Sequence, residues 1–183
     1  RSLRQRPRRT GSNGRRSRTT PATTTSGALV VSSAFLEASQ HLLETLDMGK
    51  PLRESQANVS RAVRTFEYYA GASDKIEGSS IPVDARSLNF TLREPVGVTA
   101  HITPWNYPFA NACRSLPVAL AAGCTAVIKP ASETCLTTLL LADIMRSVGF
   151  PPGVVNVITG PGSVTGEALA RHPLVRAITF TGA

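Results

Sequence analysis

Two kinds of hydrophobic spacing divide the chain near residue 96. Before it, apolar positions recur at helical intervals. Residues 35–47 predict a short helix that Gly49 and Pro51 terminate. From Glu54 to Ala70, Val59, Val63, Phe66 and Ala70 share one helical face, with Arg61, Arg64 and Glu67 elsewhere. Residues 79–95 alternate in part, at Leu88, Phe90 and Leu92, which predicts an antiparallel strand or hairpin arm facing solvent or a partner. Beyond residue 96 the apolar residues gather in short β-branched runs at 96–102, 125–129, 154–159 and 177–181. Gly or Pro bounds each run, as expected of strands buried on both faces.

Helical stretches fill the intervals at 108–122, 133–148 and 164–171. Pro108 fits a first helical turn, where its missing N–H is harmless. Ser132 reads as the N-cap of the second stretch, which Gly149 stops ahead of Pro151 and Pro152. Strand starts lie 29, 29 and 23 residues apart, room for a strand and a crossover helix each time. The alternation predicts an α/β fold, a doubly wound parallel sheet with helices on both faces.

A chain of 183 residues, 42% of them hydrophobic, can bury one core. No stretch approaches the roughly 20 consecutive apolar residues that span a bilayer, so a soluble chain without a membrane partner is expected. The formal charge of +8 sits in one place. Residues 1–20 hold eight Arg and no acid, while the remainder balances 12 basic against 12 acidic residues. Rich in Ser, Thr, Gly and Pro, residues 1–27 carry too little apolar surface to offset the entropy of ordering and read as a disordered tail. Such a tail has the composition of an organelle transit peptide. It also has that of a nucleic-acid-binding arm. The third reading, which we favour, is a tail with no function, or a stretch read from the wrong frame or an incomplete gene, since the chain starts with Arg rather than Met. No RNA-binding signature or interleaved aromatics supports a nucleic-acid partner. Cys113, Cys124 and Cys135 fall 11 apart, with no C-x-x-C and no His pair nearby. That spacing argues against a metal site and against a secreted disulfide framework. It fits a reducing, cytoplasmic location, with an organelle as the alternative if the tail is a transit peptide.

Four loops follow the strands, where open parallel sheets bind ligands. In Ile102-Thr103-Pro104-Trp105-Asn106-Tyr107-Pro108 two prolines stiffen the backbone. Asn106 is then either an oriented donor for a developing oxyanion or a turn former beside a core Trp105. In Lys129-Pro130-Ala131-Ser132-Glu133 the Lys can reach a ribose hydroxyl or a phosphate, or can be merely solvated. Gly160-Pro161-Gly162-Ser163-Val164-Thr165-Gly166 is one residue longer than the dinucleotide fingerprint and, alone, equally a plain tight turn. The last is Phe180-Thr181-Gly182-Ala183, after which a parallel sheet would be left with an unpaired edge.

Taken in order, E-P-V-G-V-x-x-x-I-T-P-W-N-Y-P (94–108), P-x-A-L-A-A-G-C-T-A-V-I-K-P-A (117–131), P-P-G-V-V-N-V-I-T-G (151–160) and F-T-G (180–182) resemble the aldehyde dehydrogenase superfamily. The earlier L-D-M-G-K-P (46–51) resembles the family's segment before its first long helix, with Met48 where Thr is usual. The resemblance covers residues 37–183 and leaves 1–36 unmatched. It implies a Rossmann-like cofactor domain and NAD(P)-dependent oxidation of an aldehyde to a carboxylic acid. In that chemistry a Cys thiolate attacks the aldehyde, an Asn and a backbone N–H hold the oxyanion, hydride leaves to the nicotinamide, and a Glu-activated water releases the acid. Matched by position, Asn106 is the oxyanion donor, and Ile102, Thr103, Pro104 and Trp105 line the cofactor cleft. Lys129 is the adenosine-ribose Lys, with Ala131 and Ser132 in the same loop. Gly162 and Gly166 flank the adenine, and Phe180 lies on the cofactor side. The segment 79–95 resembles the family's oligomerisation arm and implies a homodimer or homotetramer.

Three departures qualify this. Ser132 stands where NAD-preferring members often place a Glu, so the resemblance implies NAD or NADP as cofactor, with NADP tolerated or preferred. Ala183 stands where Ser commonly follows F-T-G. The family's nucleophilic Cys and general-base Glu belong to segments after F-T-G, so residues 28–183 read as a partial domain whose isolated chain should not turn over aldehydes.

Overall fold

The computed structural model describes the backbone of residues 33–182 and the side chains from Gln40 onward. The Arg-rich segment 1–27 and Ala183 lie outside the described residues.

Two helices come first, α1 (Ser33–Met48) and α2 (Leu52–Ala72). The helical face read from spacing is the buried one: Val59, Ala62, Val63, Phe66 and Ala70 sit in the core while Arg61, Arg64 and Glu67 face outward. Burying Val59 and Phe66, 1% and 2% exposed, contributes about 1.5–3 kcal/mol each relative to exposure. A small hairpin follows, pairing β1 (Ser80–Ile81) antiparallel with β2 (Asn89–Phe90) through Ser80↔Phe90 and Ile81↔Asn89. Its apolar side chains Ile81, Val83, Leu88, Phe90 and Leu92 are all exposed.

The rest is one parallel sheet wound on both sides. Its strands are β3 (Val98–Ile102), β4 (Thr125–Lys129), β5 (Val155–Val157) and β6 (Val175–Phe180), in the order β5-β4-β3-β6. Between them lie α3 (Pro108–Ala121), α4 (Leu136–Ser147), a π-helical turn (Gly162–Gly166) and α5 (Glu167–Arg171). The chain moves outward from β3 to β4 to β5, then returns to lay β6 on the other side of β3. Right-handed crossovers put α3 and α4 on one face and α5 on the other. In agreement, α3 packs on β3 and β4, α4 on β5, and α5 on β6. Helices α1 and α2 cover α4 and α3, which closes a core of Phe109, Leu116, Ile128, Leu141 and Met145. The direction of winding reverses between β3 and β6, so a crevice opens above their carboxyl ends.

Three expectations need correction. Helix α4 starts at Leu136 rather than 133, and Ser132 does not cap it. The cap is Asp47 at the end of α1, whose Oδ2 accepts the Leu136 N–H at 3.0 Å. Ser132 instead donates its hydroxyl to the carbonyl of Gly160, 3.1 Å away. Second, β3 is buried on both faces and β4 on one, with Thr125 and Val127 half-buried on the other, but β5 is half-buried and β6 largely exposed. Among the described residues β6 is an edge strand, and the five-residue α5 is too short to cover it. Third, the helical segment after β5 begins at Gly162, so the glycine turn is itself helical.

Candidate active site

Parallel register gathers the site. Ile102 pairs with Lys129 on one side and with Phe180 on the other, so three residues distant in sequence end their strands in one row. The pairing continues into the loops, where Thr103 N–H donates to Lys129 O at 3.1 Å and Thr181 N–H to Ile102 O at 3.0 Å. A further tie comes from the Thr134 hydroxyl, which donates to Trp105 O at 3.1 Å. Between Pro104 and Pro108 the backbone is thus held from both flanks.

Above that row lies a cleft of about 480 Å³. Its β3 side is lined by Ile102, Thr103, Pro104, Trp105 and Asn106. Lys129, Ala131 and Ser132 line the β4 side, Gly162 the turn after β5, and Phe180 the end of β6. Of the residues singled out in the sequence, only Gly166 lies off the cleft wall. It is buried behind Lys129, where an added Cβ would rest 3.8 Å from the Lys129 Cδ. Three residues that the sequence reading passed over also line the cleft: Glu133, Thr181 and Gly182. Glu133 was visible as a carboxylate one position after Ser132.

The cleft is set up for an anionic, hydroxyl-bearing ligand. Lys129 is 3% exposed, donates to Pro130 O at 2.8 Å, and has no carboxylate partner among the described residues. The Thr103 hydroxyl is buried with no hydrogen-bond partner. A buried hydroxyl without a partner is costly and marks a place where a ligand can complete the bonding. A dinucleotide fits these donors: ribose hydroxyls or phosphate oxygens for the ammonium, an apolar wall of Ile102, Pro104 and Phe180 for a ring.

Asn106 borders a second cavity as well, of about 400 Å³, between α2 and α3. Asn106 and Thr181 line both spaces, so the two cavities adjoin at these residues. A wider hollow of about 750 Å³ on the outer face of α2 is lined by Ser60, Arg61, Arg64, Thr65 and Tyr68, so Arg61 and Thr65 border both spaces, and it holds none of the candidate site residues. Cys113 reaches the second cavity but is 1% exposed, and burial, helped by Glu44, pushes its thiol well above the usual range. A nucleophile needs the thiolate, so Cys113 is a packing residue. Cys124 is buried and Cys135 half-buried at the start of α4. Among the described residues no three His, Cys, Asp or Glu gather to hold a metal, and no helix is long and apolar enough to cross a membrane.

Comparison with known proteins places this geometry in a family. The sequence pattern of the aldehyde dehydrogenase family matches residues 18–183. It begins 19 residues earlier than the motif resemblance, which started at 37, so part of the segment read as unmatched is covered. Hydroxyisobutyraldehyde dehydrogenase of Mycolicibacterium austroafricanum is 51% identical over 140 residues, 76% of this chain and 28% of that protein. An NAD(P)+ aldehyde dehydrogenase of Saccharomyces cerevisiae is 49% identical over 142 residues, again 76% and 28%. Among solved structures, PnpE in complex with nicotinamide adenine dinucleotide superposes with a TM-score of 0.86 at 44% identity, covering 91% of this chain and 35% of that one. The NAD+ complex of an aldehyde dehydrogenase from Bacillus cereus gives 0.85 at 38% identity, covering 90% and 34%. The chain thus spans about 28% of the length of the curated relatives it matches.

Proposed function

The chain belongs to the aldehyde dehydrogenase family, and from that premise we propose that it supplies the dinucleotide cleft and the oxyanion donor for NAD(P)-dependent oxidation of an aldehyde. The overall reaction balances as aldehyde plus water plus NAD(P)+ giving carboxylate, NAD(P)H and two protons. The observation that carries the proposal is the row Lys129–Ile102–Phe180, with Asn106 at the junction of two cavities.

When bound, the nicotinamide supplies the acceptor for the hydride that leaves the aldehyde carbon. The chain's own residues do the rest of the work assigned here. Lys129 donates to ribose hydroxyls at the adenosine end, with Ala131 and Ser132 beside it, while Gly162 lets the backbone approach closely and Gly166 leaves room behind the Lys129 stem. Ile102, Thr103, Pro104, Trp105 and Phe180 exclude water along the cleft. Asn106 turns its side-chain NH₂ toward the oxygen of the substrate carbonyl, where negative charge develops as the carbon becomes tetrahedral. A donor already held by the Pro104–Pro108 frame needs little reorganisation at that moment. The nucleophile is not among the three cysteines, since none of them lines the cleft.

The exposed apolar arm at 79–95 supports self-association into a homodimer or homotetramer. The three free cysteines fit a reducing compartment, and we assign the cytoplasm.

Trp105 is the sole tryptophan and lines the cleft, so its fluorescence reports occupancy. Titrating NAD+ and NADP+ into the chain should quench it saturably, and Lys129→Met should weaken the quench by about tenfold, the loss of one charged hydrogen bond. An unquenched Trp105 at millimolar dinucleotide would defeat the proposal.

A further inference from the structure

The second cavity has a chemistry of its own. Its walls are two helical stripes facing each other, Asn58, Arg61 and Thr65 on α2 against Ala110, Asn111 and Arg114 on α3. Within each stripe the residues follow helical spacing, so one face of each helix is turned into the same space. Each stripe contributes one arginine, and among the described residues no Asp or Glu lines the cavity. Neither Arg61 nor Arg114 is ion-paired among the described residues. The Arg114 Nη2 donates to the Thr181 hydroxyl at 3.2 Å, which holds its guanidinium near the junction where Asn106 stands. Asn58 is 5% exposed, and its Nδ2 is a buried donor without a partner. Three donors, two of them cationic, therefore border a space that no carboxylate lines among the described residues. A volume of about 400 Å³ lies within the roughly 300–1,000 Å³ of small-molecule sites.

Resting on the aldehyde-oxidising reading above, we propose that this cavity selects an aldehyde bearing a carboxylate at its far end, an ω-oxo acid. The carbonyl end meets Asn106, and the carboxylate meets Arg61 and Arg114. Guanidinium recognises carboxylate through paired N–H donors in a fixed fork, so the two arginines discriminate charge and shape together. The carboxylate oxygens also provide the acceptor that Asn58 lacks. A neutral aldehyde of the same length would offer the two cations no charged partner and leave Asn58 still unsatisfied.

The test uses the 183-residue chain and an unreactive probe, glutarate, with pentane-1,5-diol as the neutral match and inorganic phosphate as a second anion. Binding is followed by the side-chain NMR signals of Arg61, Arg114 and Asn106. Glutarate should bind saturably, with shifts at all three residues, and added salt should weaken it. Arg61→Gln and Arg114→Gln should each reduce affinity by about tenfold, the scale of a charged hydrogen bond. Both side chains are solvent-exposed, so an unchanged Tm is expected for these variants. Diol or phosphate binding as well as glutarate, or glutarate affinity indifferent to both substitutions, overturns the proposal. NAD(P)+ quenching of Trp105, measured on the same samples, separates the two readings. Quenching without glutarate binding removes the substrate class alone. Glutarate binding without quenching removes the oxidoreductase reading beneath it.

Discussion

The ammonium of Lys50 lies 4.0 Å from the centre of the Tyr107 ring, immediately after Asn106 in sequence. Its other partner is Glu44, whose Oε1 accepts at 2.9 Å, and both charges are withdrawn from water, 3% and 0% exposed. Burial holds the Glu44 carboxyl above its ordinary value of 4.5, with Lys50 pulling the opposite way. Breaking a buried pair leaves one charge stranded, whereas removing both is far milder. Lys50→Met should therefore cost about 3–5 kcal/mol in urea unfolding, and Lys50→Met with Glu44→Gln should recover much of it. A double variant as unstable as the single would show that the pair is not the cause. The sign with pH follows from the raised value. The folded chain holds this proton more tightly than the unfolded one, so stability falls as pH climbs from about 4.5 through the folded pKa. Glu44→Gln should flatten that limb.

His101 gives the opposite limb. It is 1% exposed in β3 and bonded on every side: Nε2 to Thr99 Oγ1 at 2.9 Å, Nδ1 to Ser115 Oγ at 2.8 Å and to Thr179 Oγ1 at 3.1 Å. The Thr99 hydroxyl also donates to Thr125 O at 2.9 Å and the Ser115 hydroxyl to Asn111 O at 3.3 Å, so the ring sits in a closed hydroxyl network. Burial lowers the His101 pKa below 6.5. The unfolded chain takes up the proton first, so the stability contribution is whole above 6.5 and is lost as pH falls through the folded value. Unfolding curves between pH 7 and 5 should show this decline in the native chain and not in His101→Gln. Equal slopes in the two would contradict it.

Gly160 is constrained twice. Its φ of +141° lies outside the range that side chains favour, and an added Cβ would stand 2.5 Å from the Thr165 hydroxyl. The same residue's carbonyl receives the Ser132 hydroxyl, so it links two loops of the cleft. Gly160→Ala should lower stability by about 1–3 kcal/mol and weaken the Trp105 quench by dinucleotide. At Gly149, φ is +87° but nothing lies within 4 Å, so Gly149→Ala should show only the backbone cost and leave the quench intact. Equal effects on binding would remove the loop linkage as the reason.

The cleft was legible in the sequence because each strand exit is punctuated by Gly or Pro and each carries its own distinctive residues. Ile102, Lys129 and Phe180 end β3, β4 and β6, and parallel pairing then brings them into one row. What stayed hidden depended on contacts between elements far apart in the chain. Ser132 looks like a cap from local spacing, yet the cap comes from Asp47, 89 residues before Leu136. Arg61 reads as part of a solvated face because α2 alone does not reveal that Arg114 of α3 faces the same cavity. The apolar run of β6 matches those of the buried strands, so its exposure was not readable from that run alone.

Glu133 changes the expectation about cofactor choice. Ser132 alone favours NADP, because no carboxylate at that position repels a 2′-phosphate, yet Glu133 returns a negative charge to the same cleft wall. A phosphate carries nearly two charges, and repulsion from an exposed carboxylate in screened surroundings is worth about 1 kcal/mol. Glu133→Gln should thus raise NADP+ affinity relative to NAD+ by about fivefold, measured by Trp105 quenching. Ser132→Glu should shift the ratio the other way, while Lys129→Met should weaken both dinucleotides, and NADP+ more where the ammonium meets the phosphate. An NADP+/NAD+ ratio that ignores Glu133 but follows Ser132 would mean the carboxylate points away from the ribose, and preference would then rest on position 132.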